Sequence, residues 1–407
     1  MKAFFVLDKW CAANKNWGPS AWETNFVTSY ESLKKFEFSS FHFDEFHDKN
    51  PGKSANQGLI DELKNQHPDF IFLVLYKKPG KSDLIISIES LAKIRDELNI
   101  PIVTIFGDLE HQEQEDIVRT IEPYMTLILY TALTAPGVRI KSPKMKYIFA
   151  PKDPAFFYGD LNVIKKTEIC YYGSSKPERV AVIDYLALHS VPITLAGGER
   201  EQNIPVMTFA DRIRETKICL SFSRAARCHM SNARTVEVIS CNSMLLEQAG
   251  METPKLLIPF QDFIPFLSLS DCADKAKYFL RNDAEREEIS NNGFKKYQTL
   301  FSSERFWMNI IQYLEDLKMA PGLNKNNRVI KKMGGEQFWL ASLSERGIPE
   351  ISNTSYLGFP CFYRVYYPSL NRLMESPIFY FGFRVFRFIV DLVTRVLNKI
   401  KRIITNT

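Results

Sequence analysis

Arg234 and Glu237 stand three residues apart in the run Lys217–Gln248, KICLSFSRAARCHMSNARTVEVISCNSMLLEQ. On a helix that spacing puts both on one face. A guanidinium beside a carboxylate can hold a ligand bearing both anionic groups and hydroxyls. The same spacing is also that of an exposed ion pair, and the pair alone does not decide between the two. His229, eight positions before Glu237, would touch a sugar or a phosphate, or would be an ordinary hydrogen-bonded loop histidine.

Two other segments carry candidate chemistry. GSSKPER at 173–179 follows an apolar run and opens a helical one. Gly173 and Ser174 would let a phosphate approach backbone N–H groups at a helix start, and Lys176 or Arg179 would add charge-assisted contacts to a diphosphate. An ordinary strand-to-helix loop has the same composition. The segment fits neither GxxxxGK[ST] nor GxGxxG, so neither a nucleoside triphosphatase nor a dinucleotide enzyme is supported. GDLEHQEQED at 107–116 offers Asp108, Glu110 and His111, any of which would serve as a general base facing a cleft; acidic runs of this kind are also solvated helix starts.

The elements that must position these residues alternate between strand and helix. Short apolar runs at Ala3–Leu7, Phe70–Leu75, Ile102–Phe106, Thr126–Tyr130 and Tyr147–Phe149 predict strands, and continuous apolar strands belong to parallel sheets covered on both faces. Helical spacing lies between them at 57–66 and 87–98. Pro151-Lys152-Asp153-Pro154 breaks the pattern and predicts a linker. Strands at 168–172, 192–195, 218–222 and 243–246 then alternate with helices at 180–189, 209–216 and from 233, and helices at 273–281, 284–297 and 303–317 follow. The fold expected is α/β, with two Rossmann-like domains, 1–150 and 155–318, facing a cleft. Beyond them lie an extension at 319–375 and a separate element at 376–407.

Composition bounds the rest. Of 407 residues, 45% are hydrophobic and 24% charged, as in soluble globular proteins. Seven scattered cysteines without a CxxC pair or metal-ligand spacing fit buried, reduced thiols of a cytoplasmic protein. The N-terminus reads as neither a secretory signal nor a membrane span. The formal excess of five positive charges is matched by the six basic residues and one acid of 376–407, which argues against a nucleic-acid surface spread over the fold. In that last segment Arg384, Arg387, Asp391, Arg395, Lys399 and Arg402 fall in one helical sector, away from Phe388, Leu392, Val396 and Ile400. Such a helix lies in the plane of an anionic membrane surface, or packs as a terminal helix or oligomer contact.

Taken in order, the GS loop with its downstream arginine, the LAGG turn at 195–198, KICLSFS, RTVE and KYFLRNDAEREEISNNG at 277–293 resemble a known arrangement. It is similar to the nucleotide-binding half of group 1 GT-B glycosyltransferases, most closely the spore-maturation CgeB-like branch. NQHPDFIFLVL at 65–75 and IPIVTIFGD at 100–108 resemble that branch's N-terminal strands. The resemblance spans roughly 60–317. It implies transfer of a sugar from a nucleotide-sugar to a hydroxyl of a saccharide, lipid-linked glycan such as a lipopolysaccharide precursor, or other glycoconjugate. It further implies no bound metal and no cofactor, the nucleotide-sugar being a co-substrate. Glu237 matches the second glutamate of a pair eight apart, which binds donor ribose; the first position is His229. Gly173 and Ser174 match the diphosphate loop, with Lys176, Arg179 and Arg234 as phosphate partners. Two alternatives stay open: an inverting fucosyltransferase-like enzyme, and a catalytically degenerate glycan-binding or scaffold protein.

Overall fold

The structure is a computed structural model that describes residues 1–75, 85–106, 112–131, 142–173, 177–196, 204–221, 233–249, 253–266 and 269–319, with Pro79 and Ile140. The extension after 319 and the basic segment 376–407 lie outside the described residues.

Among the described residues, eleven strands form two sheets. The first contains β1 (Ala3–Val6), β2 (Phe38–Phe41), β3 (Phe70–Val74), β4 (Ile102–Phe106), β5 (Leu127–Tyr130) and β6 (Met145–Tyr147) in the order β2-β1-β3-β4-β5-β6. The second contains β7 (Thr167–Tyr172), β8 (Thr194–Ala196), β9 (Thr216–Ser221), β10 (Met244–Gln248) and β11 (Ile264–Phe266) in the order β11-β10-β9-β7-β8. Every pairing of named strands is parallel. Parallel neighbours need crossovers, and helices supply several of them. In chain order the described α-helices are α1 (Thr28–Glu31), α2 (Phe43–Lys49), α3 (Ala55–Gln66), α4 (Ile88–Asp96), α5 (Gln112–Ile121), α6 (Pro177–Leu188), α7 (Val206–Arg214), α8 (Ala233–Ser240), α9 (Leu269–Arg281), α10 (Asp283–Lys296) and α11 (Ser303–Met319). Of these, α9, α10 and α11 follow the last strand.

Local chemistry sets the boundaries. Ser54 and Ser87 cap α3 and α4, their hydroxyls accepting from the amides of Gln57 (3.3 Å) and Ser90 (3.0 Å). The turn after α8 is made by Asn242 in the left-handed region, φ 52°, a conformation asparagine tolerates better than most side chains.

Strand alternation distributes β3 to both layers. Ile71 and Leu73 join Phe4, Leu59, Leu91 and Ile117 on one face, and Phe70 and Phe72 join Phe5, Tyr30 and Trp307 on the other. Trp307 belongs to α11, so the last described helix follows the second sheet in sequence but buries Trp307, Ile310 and Leu314 in the core of the first. Sequence periodicity located the long elements within a few residues. It left 36–49 unassigned, where β2 and α2 stand, and put the sixth strand two residues late. Those segments are short and mix aromatic with polar residues, so neither period emerges.

Candidate functional site

In an open parallel sheet, ligands settle outside the carboxyl ends of strands where the strand order reverses. In the second sheet the chain passes from β7 to β8 on one side and then to β9 on the other, so that crevice lies between β7 and β9. Cys170 pairs with Cys219, and two residues later the strands end together, at Tyr172 and Ser221. Gly173 follows Tyr172 at the crevice mouth. A Cβ there would sit 2.9 Å from Tyr171 Oη, so even a methyl group would press on that ring.

Helix α8 brings the charged pair to the same place. Arg234 donates through Nη1 to the Tyr172 carbonyl oxygen, joining α8 to the end of β7. Its Nε donates to Glu237 Oε2 at 3.1 Å, and its guanidinium lies 5.0 Å from the Phe209 ring centroid. Glu237 Oε1 accepts from Lys152 Nζ at 2.7 Å. The Glu237 side chain is 12% exposed and that of Lys152 4%. This is no solvated surface pair. Burial alone would raise the Glu237 carboxyl; the charges of Lys152 and Arg234, and the hydrogen bonds they donate, outweigh it and hold the group below its ordinary value.

The linker is thereby fixed at several points. Lys152 reaches Glu237 by its ammonium, while its carbonyl accepts from Ser303 Oγ at the start of α11. The next residue, Asp153, accepts from Thr28 Oγ1 at 2.6 Å and from the Ala155 amide at 2.8 Å. Two adjacent linker residues therefore tie α8 of the second sheet and α1 of the first.

A carboxylate oxygen has room for two hydrogen bonds, and among the described residues each oxygen of Glu237 has one, from a cation. The remaining lone pairs can accept two further hydroxyls, as a vicinal diol would supply. The first and third helical residues of α6 are Pro177 and Arg179; the Arg179 side chain lies outside the described residues, as do Ser174, Lys176 and His229. Asp108 and His111 also lie outside them, in the segment between β4 and α5 at the first sheet. Of the residues singled out from sequence, the structure brings Gly173, Arg234 and Glu237 together.

Sequence reasoning missed Lys152, which it read only as part of a Pro-bounded linker. It also missed Glu247, a fully buried carboxyl at the end of β10. A signal existed for Glu247: it is two residues from Leu245 in a strand that opens on three apolar residues, which aims it at the same core. Among the described residues no group of three or more His, Cys, Asp or Glu side chains is placed to hold a metal, and no helix is long and apolar enough to cross a membrane.

Comparisons with known proteins bear on the fold. Residues 179–314 match the sequence profile of a family described as glycosyl transferase-like. No curated protein matches the chain as a sequence relative. Several solved structures share its architecture. Anabaena HepE, solved with UDP-glucose, superposes with a TM-score of 0.53 at 11% identity, over 78% of this chain and 100% of its own. An α-glucosyltransferase solved with UDP and a mismatched 13-mer DNA gives 0.54 at 11% identity, over 77% and 100%. Sucrose-phosphate synthase from Thermosynechococcus elongatus gives 0.51 at 11% identity, over 78% and 100%. The two parallel sheets with interleaved helices are those of the GT-B fold.

Proposed function

We propose that this chain is a glycosyltransferase that takes a sugar from a nucleotide-sugar and passes it to a hydroxyl acceptor. The observation that carries the reading is Glu237, held ionised by Lys152 and Arg234 at the strand-order reversal of the second sheet, inside the segment that matches the glycosyl transferase-like profile. The structural neighbours solved with UDP or UDP-glucose support a nucleoside diphosphate as the leaving group.

The chemistry follows from what such a site must do. Glu237 accepts the ribose hydroxyls. The diphosphate lies against the Gly173 turn, with Ser174, Lys176, Arg179 and Arg234 as its partners and His229 beside the sugar. As the acceptor oxygen bonds to the anomeric carbon, the bond from that carbon to the diphosphate breaks, and negative charge grows on the departing oxygen. Backbone N–H groups and cations fixed beforehand stabilise that charge without reorganising. The acceptor proton leaves to a base; Asp108 and His111, after β4 of the first sheet, are the candidates. No metal or cofactor is invoked for these steps.

The acceptor reading is a saccharide, lipid-linked glycan or other glycoconjugate, met at the cytosolic face of a membrane by the basic segment 376–407. Deleting that segment is expected to abolish flotation with anionic liposomes, and retention would remove the membrane from the proposal. A second reading, a glycan-binding scaffold without activity, is favoured by one observation, histidine rather than glutamate at 229. A panel of nucleotide-sugars separates the two. Release of nucleoside diphosphate from one donor is expected; glycan binding with no turnover of any donor would give the scaffold reading the case.

A further inference from the structure

Glu247 is 0% exposed and opposes Ser221 in the register of β10 with β9. It shares the face of Leu245, whose core layer includes Cys219, Cys241, Val238 and Ile239. Its Oε1 accepts from Ser221 Oγ at 3.1 Å and from Thr235 Oγ1 at 2.7 Å. Ser221 is the last residue of β9, and Thr235 lies in the first turn of α8. One carboxyl oxygen therefore joins the end of β9 to the first turn of α8, the helix that carries Arg234 and Glu237. The other oxygen, Oε2, is buried and makes no hydrogen bond among the described residues, while the Thr253 hydroxyl also acts on the carboxyl.

That asymmetry fits a protonated acid. Its carbonyl oxygen accepts both hydroxyls, and its proton occupies Oε2. An ionised carboxylate would leave a bare charged oxygen in the core, a costly arrangement. Burial pushes the Glu247 carboxyl up to about 7, against the hydroxyls of Thr253, Thr235 and Ser221, and among the described residues no charged group contributes. The Cys219 and Cys241 thiols of the same layer are themselves pushed up by burial and bring no charge near neutrality.

We propose that Glu247, as a neutral clamp between Ser221 and Thr235, is the positioning residue of the donor site, and that its deprotonation loosens α8 and weakens donor binding. The donor half of this inference rests on the glycosyltransferase reading; the clamp itself does not. Arg234 and Glu237 project from α8 beside Thr235, so any slack at the Thr235 bond reaches the pair that is to hold the nucleotide. Glu247→Gln reproduces the neutral form, with a carbonyl Oε1 for both hydroxyls and no charge to acquire.

Two readouts on the full chain, at about pH 6 and about pH 8, test this on either side of the titration. The first is amide hydrogen exchange over 233–240, corrected for intrinsic rates. The wild type is expected to lose protection at the higher pH, Glu247→Gln to keep it, and Thr235→Val to lack it at both. The second is calorimetric titration with UDP-glucose, whose diphosphate does not titrate in this interval. If only the neutral form binds, wild-type affinity falls roughly tenfold from the lower to the higher pH, in step with the neutral fraction. Affinity of Glu247→Gln stays at the low-pH level. Identical pH dependence of exchange in wild type and Glu247→Gln would overturn the clamp. The expected exchange pattern without UDP-glucose binding at either pH would keep the clamp and overturn its donor role.

Discussion

The two sheets are built alike and filled differently. The central strands of the first read AFFV, FIFLV, IVTIF and LILY, and its α11 side is a cluster of rings. The Trp307 indole lies 5.6 Å from Phe5, 5.1 Å from Tyr30 and 4.9 Å from Phe72, edge to face, and its Nε1 donates to Ser29 Oγ at 2.9 Å. The second sheet buries charges and hydroxyls instead. Lys165 donates to the carbonyls of Arg214 and Asn242 and to Ser243 Oγ, with burial pulling its ammonium down to about 8. Glu247 holds Ser221 and Thr235, and Lys152 holds Glu237. Buried polar groups cost stability unless each is paired, and they bring directional geometry that hydrocarbon cannot. The first core is filled for stability, whereas the second is filled to fix where α8 and its charged pair stand.

That contrast can be broken from the largest effect downward. Trp307→Ala should cost about 4 kcal/mol in urea denaturation, as large aromatic truncations do. Nucleotide affinity of the folded fraction should not change; a large loss of affinity would mean that the first core also shapes the donor site. Glu247 gives the next effect, and its sign is opposite to that of a paired carboxylate. Its folded value is raised from 4.5 to about 7, so the folded state holds the proton where the unfolded state has released it. Stability should therefore fall as pH rises from about 4.5 through about 7, by on the order of 3 kcal/mol, and level off above. Glu247→Gln should lack that fall. Lys152→Met should cost about 2 kcal/mol, less than a fully buried pair because Arg234 remains on Glu237. The Glu237 carboxyl is held below 4.5, so its contribution is present above that value and lost as pH falls through the lowered one. Without Lys152 that loss should move to higher pH in an acid titration followed by circular dichroism.

Much of this was legible in the residues. Continuous apolar runs such as Phe70–Val74 and Ile102–Phe106 announced strands buried on both faces, and the Pro-bounded segment at 151–154 separates the two sheets in sequence. Gly173 and the spacing of Arg234 and Glu237 singled out residues that the structure brings together. The partners of that pair were not legible. Lys152 is 85 residues from Glu237 and Tyr172 is 62 from Arg234, and no local period encodes such contacts. The destination of α11 was likewise hidden, because amphipathic spacing identifies an apolar face without saying which sheet it covers. Glu247 was passed over because a single acid in MLLEQ reads as the polar end of a strand, although its parity with Leu245 pointed inward.

The central claim is that Glu237 is the ribose-holding residue of a nucleotide-sugar site, and calorimetric titration of the full chain with a panel of nucleotide-sugars tests it most directly. The wild type is expected to bind at least one donor, and Glu237→Ala to weaken that binding roughly tenfold or more, the loss of charged hydrogen bonds to hydroxyls. Glu237→Gln, which keeps the shape and removes the charge, should fall between them. Equal affinity of wild type and Glu237→Ala for the same donor, with both proteins folded, would contradict the account.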